Sequence, residues 1–293
     1  MGIKNVVFVV NKGFICYLMV ALRTLGRNNN YPINIHLIYS NLNQRHLNQI
    51  AKICHEFHYN FKPIRINKSL FQGAPEMGHL KLETYYRIAI PNLIDANSVL
   101  YLDCDILIRS NISELFEIDF EGYALAAVFD PAYKPRQTLK LKTDSRFFNS
   151  GVMMMNLDYW RQNNLSKIVL DFAIQNHNLL LCADQCALNA IVGADYISLN
   201  KMYNYLSHLI KFDYKYITGL NNSKIVHFTG PFKPTHYLCK HPYKDLYLNE
   251  LKLIPDYQLF IFKYFIINTF RILLKKLYLE SLPSNIRKLQ IFK

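Results

Sequence analysis

Val6-Val7-Phe8-Val9-Val10-Asn11-Lys12-Gly13 is a short β-branched run closed by turn-forming residues. An unbroken apolar run of this kind reads as a buried strand. Working outward, Cys16 to Arg27 carries helical spacing, with Val20, Leu22 and Leu25 on or near one face. Ile33 to Tyr39 predicts a second strand, and Leu42 to Cys54 a second helix with Leu47 and Ile50 turned inward. Strand, helix, strand, helix in that order predicts an α/β sheet with parallel neighbours. Such sheets bind ligands beyond the carboxyl ends of their strands. Asn11 to Phe14, and the loop near Arg65, fall at that edge.

Further along, Leu80 to Ile90 is helical by pattern and is expected to stop at Pro91, with Glu83 and Arg87 as an i,i+4 pair. Val99 to Leu102 predicts a buried strand that runs directly into Asp103-Cys104-Asp105, and Ile106 to Ile108 resumes the apolar pattern. Ala124 to Phe129, Val152 to Asn156 and Ile225 to Phe228 predict further strands, and Asp184 to Val192 a helix with Asp184 near its start as a candidate N-cap.

The chain has 293 residues, 51% of them hydrophobic and 19% charged, which excludes disorder and leaves ample material for a core. No run reaches 18 consecutive apolar residues, so no membrane-spanning helix is expected. A net charge of +13 calls for an anionic partner. Nucleic acid is not that partner: the aromatics are spread through core strands and no recognition motif is present. Six cysteines are too sparse for a disulfide scaffold, and Cys54, Cys104, Cys182 and Cys186 read as buried thiols of a reducing compartment. The first residues lack the long apolar core and cleavage site of a signal peptide, so a cytoplasmic location is expected. Residues 257–293 hold seven Lys/Arg and one acidic residue among many large apolar side chains. A helix there could rest on an anionic membrane surface, or pack on the preceding domain with a solvated basic face.

Asp103-Cys104-Asp105 carries the sharpest chemistry. Carboxylates two residues apart project the same way from an extended chain. Their mutual repulsion is relieved by a cation, and Mg²⁺ or Mn²⁺ with diphosphate oxygens completing the shell fits such ligands. The same spacing also occurs in solvated acidic turns. Cys182 and Cys186 have no second Cys/His pair at finger spacing, so zinc is not expected.

Residues 101–108, Tyr-Leu-Asp-Cys-Asp-Ile-Leu-Ile, resemble the D-x-D segment of glycosyltransferase family 8, the family of bacterial lipooligosaccharide galactosyltransferases and of glycogenin. Four more blocks resemble that family in the same order. They are Glu83-Thr84-Tyr85-Tyr86-Arg87-Ile88; Phe147-Phe148-Asn149-Ser150-Gly151-Val152; Asp184-Gln185 with Leu188 and Asn189; and His227-Phe228-Thr229-Gly230 with Lys233-Pro234. The resemblance covers about residues 1–240 and implies a GT-A type α/β fold, a Rossmann-like mixed sheet flanked by helices, with the catalytic domain expected over residues 1–250. Residues 251–293 would then form a basic, aromatic, membrane-associating tail.

It also implies roles. Asp103, Asp105 and His227 would coordinate Mn²⁺, with Mg²⁺ as the alternative. Arg87 would face the donor sugar or diphosphate, Gly230 would admit the diphosphate to the backbone, and Lys233 would supply charge to it. Asn11 would reach the uracil edge, with Cys104 and Ser150 also lining the donor site. Asn149 and Asp184 would hold sugar hydroxyls, Gln185 would lie on the reacting face of the sugar, and Asp130 and His79 would lie near the acceptor. The implied activity is transfer of a hexose, galactose before glucose, from a UDP-sugar with retention. The acceptor would be a saccharide such as a lipopolysaccharide or lipooligosaccharide core, on the cytoplasmic face of the inner membrane. An amide is a poor nucleophile, so Gln185 favours same-face attack, with the departing phosphate taking the acceptor proton. The competing class is a non-catalytic sugar-nucleotide-binding or scaffold protein.

Three departures stand out. The first loop reads Asn11-Lys12-Gly13 where relatives often have an acidic residue. Cys186 follows Asp184-Gln185 in place of a second acid, and Thr235-His236 replaces a tryptophan after Lys233-Pro234.

Overall fold

The computed structural model describes residues 2–76, 81–132, 146–193, 195–211, 219–230, 233–236, 239–254, 270 and 273. The backbone separates into two compact units, Met1–Thr229 and Gly230–Lys293. His79 and nearly all of the basic tail lie outside the described residues. Among those described, no helix is long and apolar enough to cross a membrane.

In chain order the strands are β1 (Lys4–Val9), β2 (Ile33–Tyr39), β3 (Asn60–Arg65), β4 (Ser98–Leu102), β5 (Ile106–Ile108), β6 (Leu125–Phe129), β7 (Phe148–Asn156), β8 (Ile197–Leu199), β9 (Tyr205–Leu206) and β10 (Ile225–His227). Seven of them form one sheet in the order β3-β2-β1-β4-β7-β6-β8. β3, β2, β1 and β4 run parallel, as the opening pattern predicts, and β7 then enters antiparallel to both β4 and β6. A second sheet, β5-β10-β9, stands beside it. Helix α1 (Ile15–Asn28) ties β5 in place: Ile108 N–H donates to Thr24 Oγ1 at 3.2 Å, and Asn28 Nδ2 donates to Ile108 O at 3.0 Å.

β7 decides where the site forms. Its Met153, Met154 and Met155 are fully buried, and Leu102 of β4 faces Val152. Because the strands are antiparallel, the start of β7 lies against the end of β4, where Asp103 N–H donates to Gly151 O at 2.8 Å. On the other side the pairing skips: Ala127 faces Met153 but Val128 faces Asn149, so Ser150, Gly151 and Val152 oppose no β6 residue. Such irregularities release backbone groups from the ladder and are common beside active sites. Here the Ser150 and Gly151 N–H groups are taken up by side chains instead.

Two local expectations change. Leu82–Ala89 is a 3-10 helix, and the helix after it, α2 (Ile90–Leu93), contains Pro91 instead of stopping at it. Proline fits the first turn, where no intrahelical N–H is needed. The Glu83–Arg87 surface pair is also replaced: Arg87 is only 7% exposed and turns inward to two carboxylates. An exposed i,i+4 pair contributes little and competes poorly with a buried charge partner.

Candidate active site

Asp103 and Asp105 follow β4 directly, and His227 ends β10, which is paired antiparallel to β5 with His227 opposite Ile106. A further backbone bond, Phe228 N–H to Asp105 O at 2.9 Å, fixes that end. His227 Nε2 therefore sits 3.6 Å from Asp103 Oδ2 and 3.5 Å from Asp105 Oδ1. One ligand atom from each of the three residues can be chosen so that all lie within 4.8 Å of one another. The D-x-D pair and the distant imidazole thus meet at one point. The two oxygens of Asp103 are divided: Oδ1 accepts from Tyr101 Oη at 2.5 Å and faces Arg87 Nη2 at 3.1 Å, while Oδ2 points at the imidazole.

Arg87 is the hub behind this group. Its Nε faces Asp184 Oδ2 at 3.0 Å and donates to Thr84 O at 3.0 Å, its Nη1 donates to Ser150 O at 2.8 Å, and its guanidinium lies over the Tyr101 ring at 4.5 Å. Burial opposes the charge, but Asp103 and Asp184 more than offset it and hold Arg87 protonated. Three carboxylates around one guanidinium leave an excess of negative charge. Two carboxylates and an imidazole aimed at one point suit a hard-to-borderline divalent cation. A carboxylate pair and an imidazole whose ligand atoms lie within 4.8 Å of one another would hold Mg²⁺ or Mn²⁺.

Asp184 lies in the first turn of α3 (Ala183–Val192) and does not cap it. Ala183, just before, holds a left-handed φ of 46°, a strained backbone of the kind that gathers at functional sites. Burial raises the Asp184 carboxyl to about 6, against the pull of Arg87. The folded chain thus holds this proton more tightly than the unfolded chain. Its contribution to stability is complete below the ordinary value of 3.8 and is lost as pH rises through about 6. Activity should move the opposite way. The pH–rate profile should climb through an acid limb near 6, and the normalised profile of Asp184→Asn should lack that limb.

Gln185 begins a cluster of amides. Its Oε1 accepts from Ser150 N–H at 3.0 Å, Asn149 Nδ2 at 3.2 Å and Ser150 Oγ at 3.3 Å. Asn149 Oδ1 accepts from Gly151 N–H at 3.0 Å and from Asn204 Nδ2 at 2.9 Å. Asn204 Oδ1 meets His227 Nδ1 at 3.0 Å. Asn189 clamps α3 onto β7: Phe148 N–H donates to its Oδ1 at 2.8 Å, and its Nδ2 donates to Phe148 O at 3.0 Å.

The model for glycosyl transferase family 8 matches residues 5–239. The chain belongs to glycosyl transferase family 8. It is 33% identical over 204 residues to general stress protein A of Bacillus subtilis, covering 64% of this chain and 71% of that one. It is 24% identical over 265 residues to the lipopolysaccharide 1,2-glucosyltransferase of Escherichia coli K12, covering 86% and 78% respectively. Against glycosyltransferase GlyF of Streptococcus pneumoniae the match, 24% identical, takes in 69% of this chain but 49% of the relative. The galactosyltransferase LgtC, solved with donor and acceptor sugar analogues, superposes with a TM-score of 0.78 at 22% identity, over 86% of this chain and 96% of that one. The expected GT-A architecture is the fold this chain has.

The remaining family 8 positions take varied places. Asn11 lies at the end of β1, but its Oδ1 accepts from Gly13 N–H at 2.9 Å and caps a short 3-10 helix, so that oxygen is committed to the turn. Cys104 is buried and its thiol donates to Val9 O at 3.2 Å, holding the D-x-D segment to β1. Ser150 is buried under Arg87 and Gln185. A cavity of about 650 Å³ opens at the ends of β2 and β3, lined by Ser40, Asn41, Arg65, Lys68 and Glu83 among others. Asp130 is buried: its Oδ1 accepts from Ala132 N–H at 3.2 Å and meets His208 Nε2 at 3.1 Å, while His208 Nδ1 meets Thr229 Oγ1 at 2.8 Å. Gly230 and Lys233 belong to the second unit, where Gly230 adopts a left-handed φ of 86°. Asn204 and His208 belong to no motif, and the role of Tyr101, which opens the D-x-D block, comes to light only in three dimensions.

Proposed function

We propose that this family 8 glycosyltransferase moves a hexose, galactose first and glucose next, from a UDP-sugar to a saccharide acceptor with retention at the anomeric carbon. The observation that carries the reading is the convergence of Asp103, Asp105 and His227 beside the Gln185–Asn149 amides at the ends of β4, β7 and β10. Asp103, Asp105 and His227 would hold Mn²⁺. When bound, a divalent cation there supplies a Lewis acid to diphosphate oxygens.

The chain's own residues do the rest. Arg87 keeps the carboxylates of Asp103 and Asp184 in register, and Asp184 and Asn149 present polar edges to sugar hydroxyls. Two features support same-face attack. Gln185 Oε1 already accepts three hydrogen bonds, and Asp184 is tied to Arg87, so neither oxygen is poised as a nucleophile beneath the sugar. Proton removal from the acceptor then falls to the departing diphosphate. Asp130, oriented by His208, would meet the acceptor. The same reading seats the enzyme on an anionic inner-membrane face through residues 257–293, supported by that segment's seven basic residues against one acidic.

The test is a panel of UDP-sugars scored for UDP release, with and without Mn²⁺. UDP-galactose or UDP-glucose should give a Mn²⁺-dependent signal that Asp105→Ala lowers by about 10²–10³-fold, the scale for removing one electrostatic stabiliser. A Mn²⁺-independent signal, or none with either sugar, would count against the reading.

A further inference from the structure

The amides between Gln185 and His227 form a chain whose direction is fixed at both ends. Backbone N–H groups can only donate. Gly151 N–H donates to Asn149 and Ser150 N–H donates to Gln185, so the atoms that receive them must be Asn149 Oδ1 and Gln185 Oε1. The group of Asn204 that meets Asn149 Oδ1 must then be its NH₂, at 2.9 Å. That leaves Asn204 Oδ1, an obligate acceptor, facing His227 Nδ1 at 3.0 Å. The imidazole must therefore carry a proton on Nδ1, which leaves Nε2, directed toward Asp103 and Asp105, as the nitrogen through which it can ligate an ion. Asn204 is fully buried and His227 is 4% exposed, so bulk water offers no substitute partner.

We infer that Asn204 is a positioning residue: it selects the metal-ligating tautomer of His227 and, through Asn149, aligns the sugar-facing amide of Gln185. Loading of the ion and reading of the donor sugar are thereby joined by one directed chain, Gln185–Asn149–Asn204–His227. The source of that direction is the pairing irregularity of β7, which releases the Ser150 and Gly151 N–H groups from β6. Outer partners of this kind typically change metal affinity by 10–100-fold when removed. The inference rests on the metal site proposed above.

The test uses full-length Asn204→Leu, Asn204→Asp and Asp103→Ala chains. Each is titrated with Mn²⁺ in the absence of donor and followed by loss of the free ion's EPR signal. Thermal unfolding serves as the check on folding. Asn204→Leu should weaken Mn²⁺ by about 10–100-fold. Asn204→Asp still accepts from Nδ1 but cannot donate to Asn149, so it should keep Mn²⁺ affinity while weakening UDP-galactose more than UDP, measured by calorimetry at saturating Mn²⁺. Three results would overturn the inference: unchanged Mn²⁺ binding in Asn204→Leu, a loss in Asn204→Asp as large as in the leucine variant, or equal effects on UDP and UDP-galactose in Asn204→Asp. If the leucine variant does not fold, the aspartate variant decides alone. Asp103→Ala separates the two levels, since unchanged Mn²⁺ binding there removes the metal site itself.

Discussion

Gly151→Ala should lower kcat/KM for sugar transfer by at least about 100-fold, roughly 2.7 kcal/mol of transition-state stabilisation. A Cβ at Gly151 would fall 2.1 Å from His227 Cε1, 2.7 Å from His227 Nδ1 and 2.7 Å from Asp103 Oδ2. None of these atoms can move aside cheaply. The imidazole is held by Asn204, and Asp103 by Tyr101 and Arg87. The backbone of Gly151 cannot retreat either, because its carbonyl accepts from Asp103 N–H. The added methyl must therefore push His227 off the point where the two aspartates converge. Overpacking of this kind costs about 1–3 kcal/mol of stability, so the variant should still fold. Steady-state kinetics with denaturant unfolding separates the two effects. Activity within tenfold of the parent would show that His227 is not held where the site needs it.

Arg87→Met should destabilise the protein by about 3–5 kcal/mol, the usual cost of leaving a buried charge without its partner. Two carboxylates depend on that guanidinium, one of them 3% exposed. Arg87→Lys should rescue little. A single ammonium cannot span Asp184, Asp103 and the Ser150 carbonyl as the planar fork does. The double variant Arg87→Met/Asp184→Leu should recover part of the loss, since an apolar pair of similar volume often replaces a buried ion pair without penalty. Guanidinium unfolding of Arg87→Met, Asp184→Leu and the double variant gives the coupling directly. A loss below 1 kcal/mol for Arg87→Met would mean that the network is solvated and contributes little.

Much of this arrangement is legible in the residues. β1, β2 and β4 bury the centres of their apolar runs, so those runs identify them with near-correct ends. β3 is not among the strands that such runs mark: Asn60-Phe61-Lys62-Pro63-Ile64-Arg65 is an edge strand, largely exposed, with a proline that an edge tolerates. The first turn of β7 also escapes the pattern, because Asn149, Ser150 and Gly151 are polar or small for reasons of the site. The Asp103–Asp105–His227 trio is announced by motif. Its supports are not, since Tyr101 reads as one more aromatic in a strand, Asn204 is a single residue before β9, and His208 lies in the short 3-10 helix Ser207–Lys211, with no periodicity to mark either. The partner of Arg87 is likewise hidden, because helix spacing points to Glu83 while burial selects Asp103 and Asp184.

The antiparallel entry of β7 has a consequence for how the molecule matures. Arg87, Asp103, Ser150, Asp184, Asn204 and His227 come from six stretches of chain and touch only once β4, β7 and β10 have docked in register. No nascent fragment ending before His227 can assemble the trio. Capture of an ion would therefore certify a completed first unit, and would hold it closed by mass action against late unravelling.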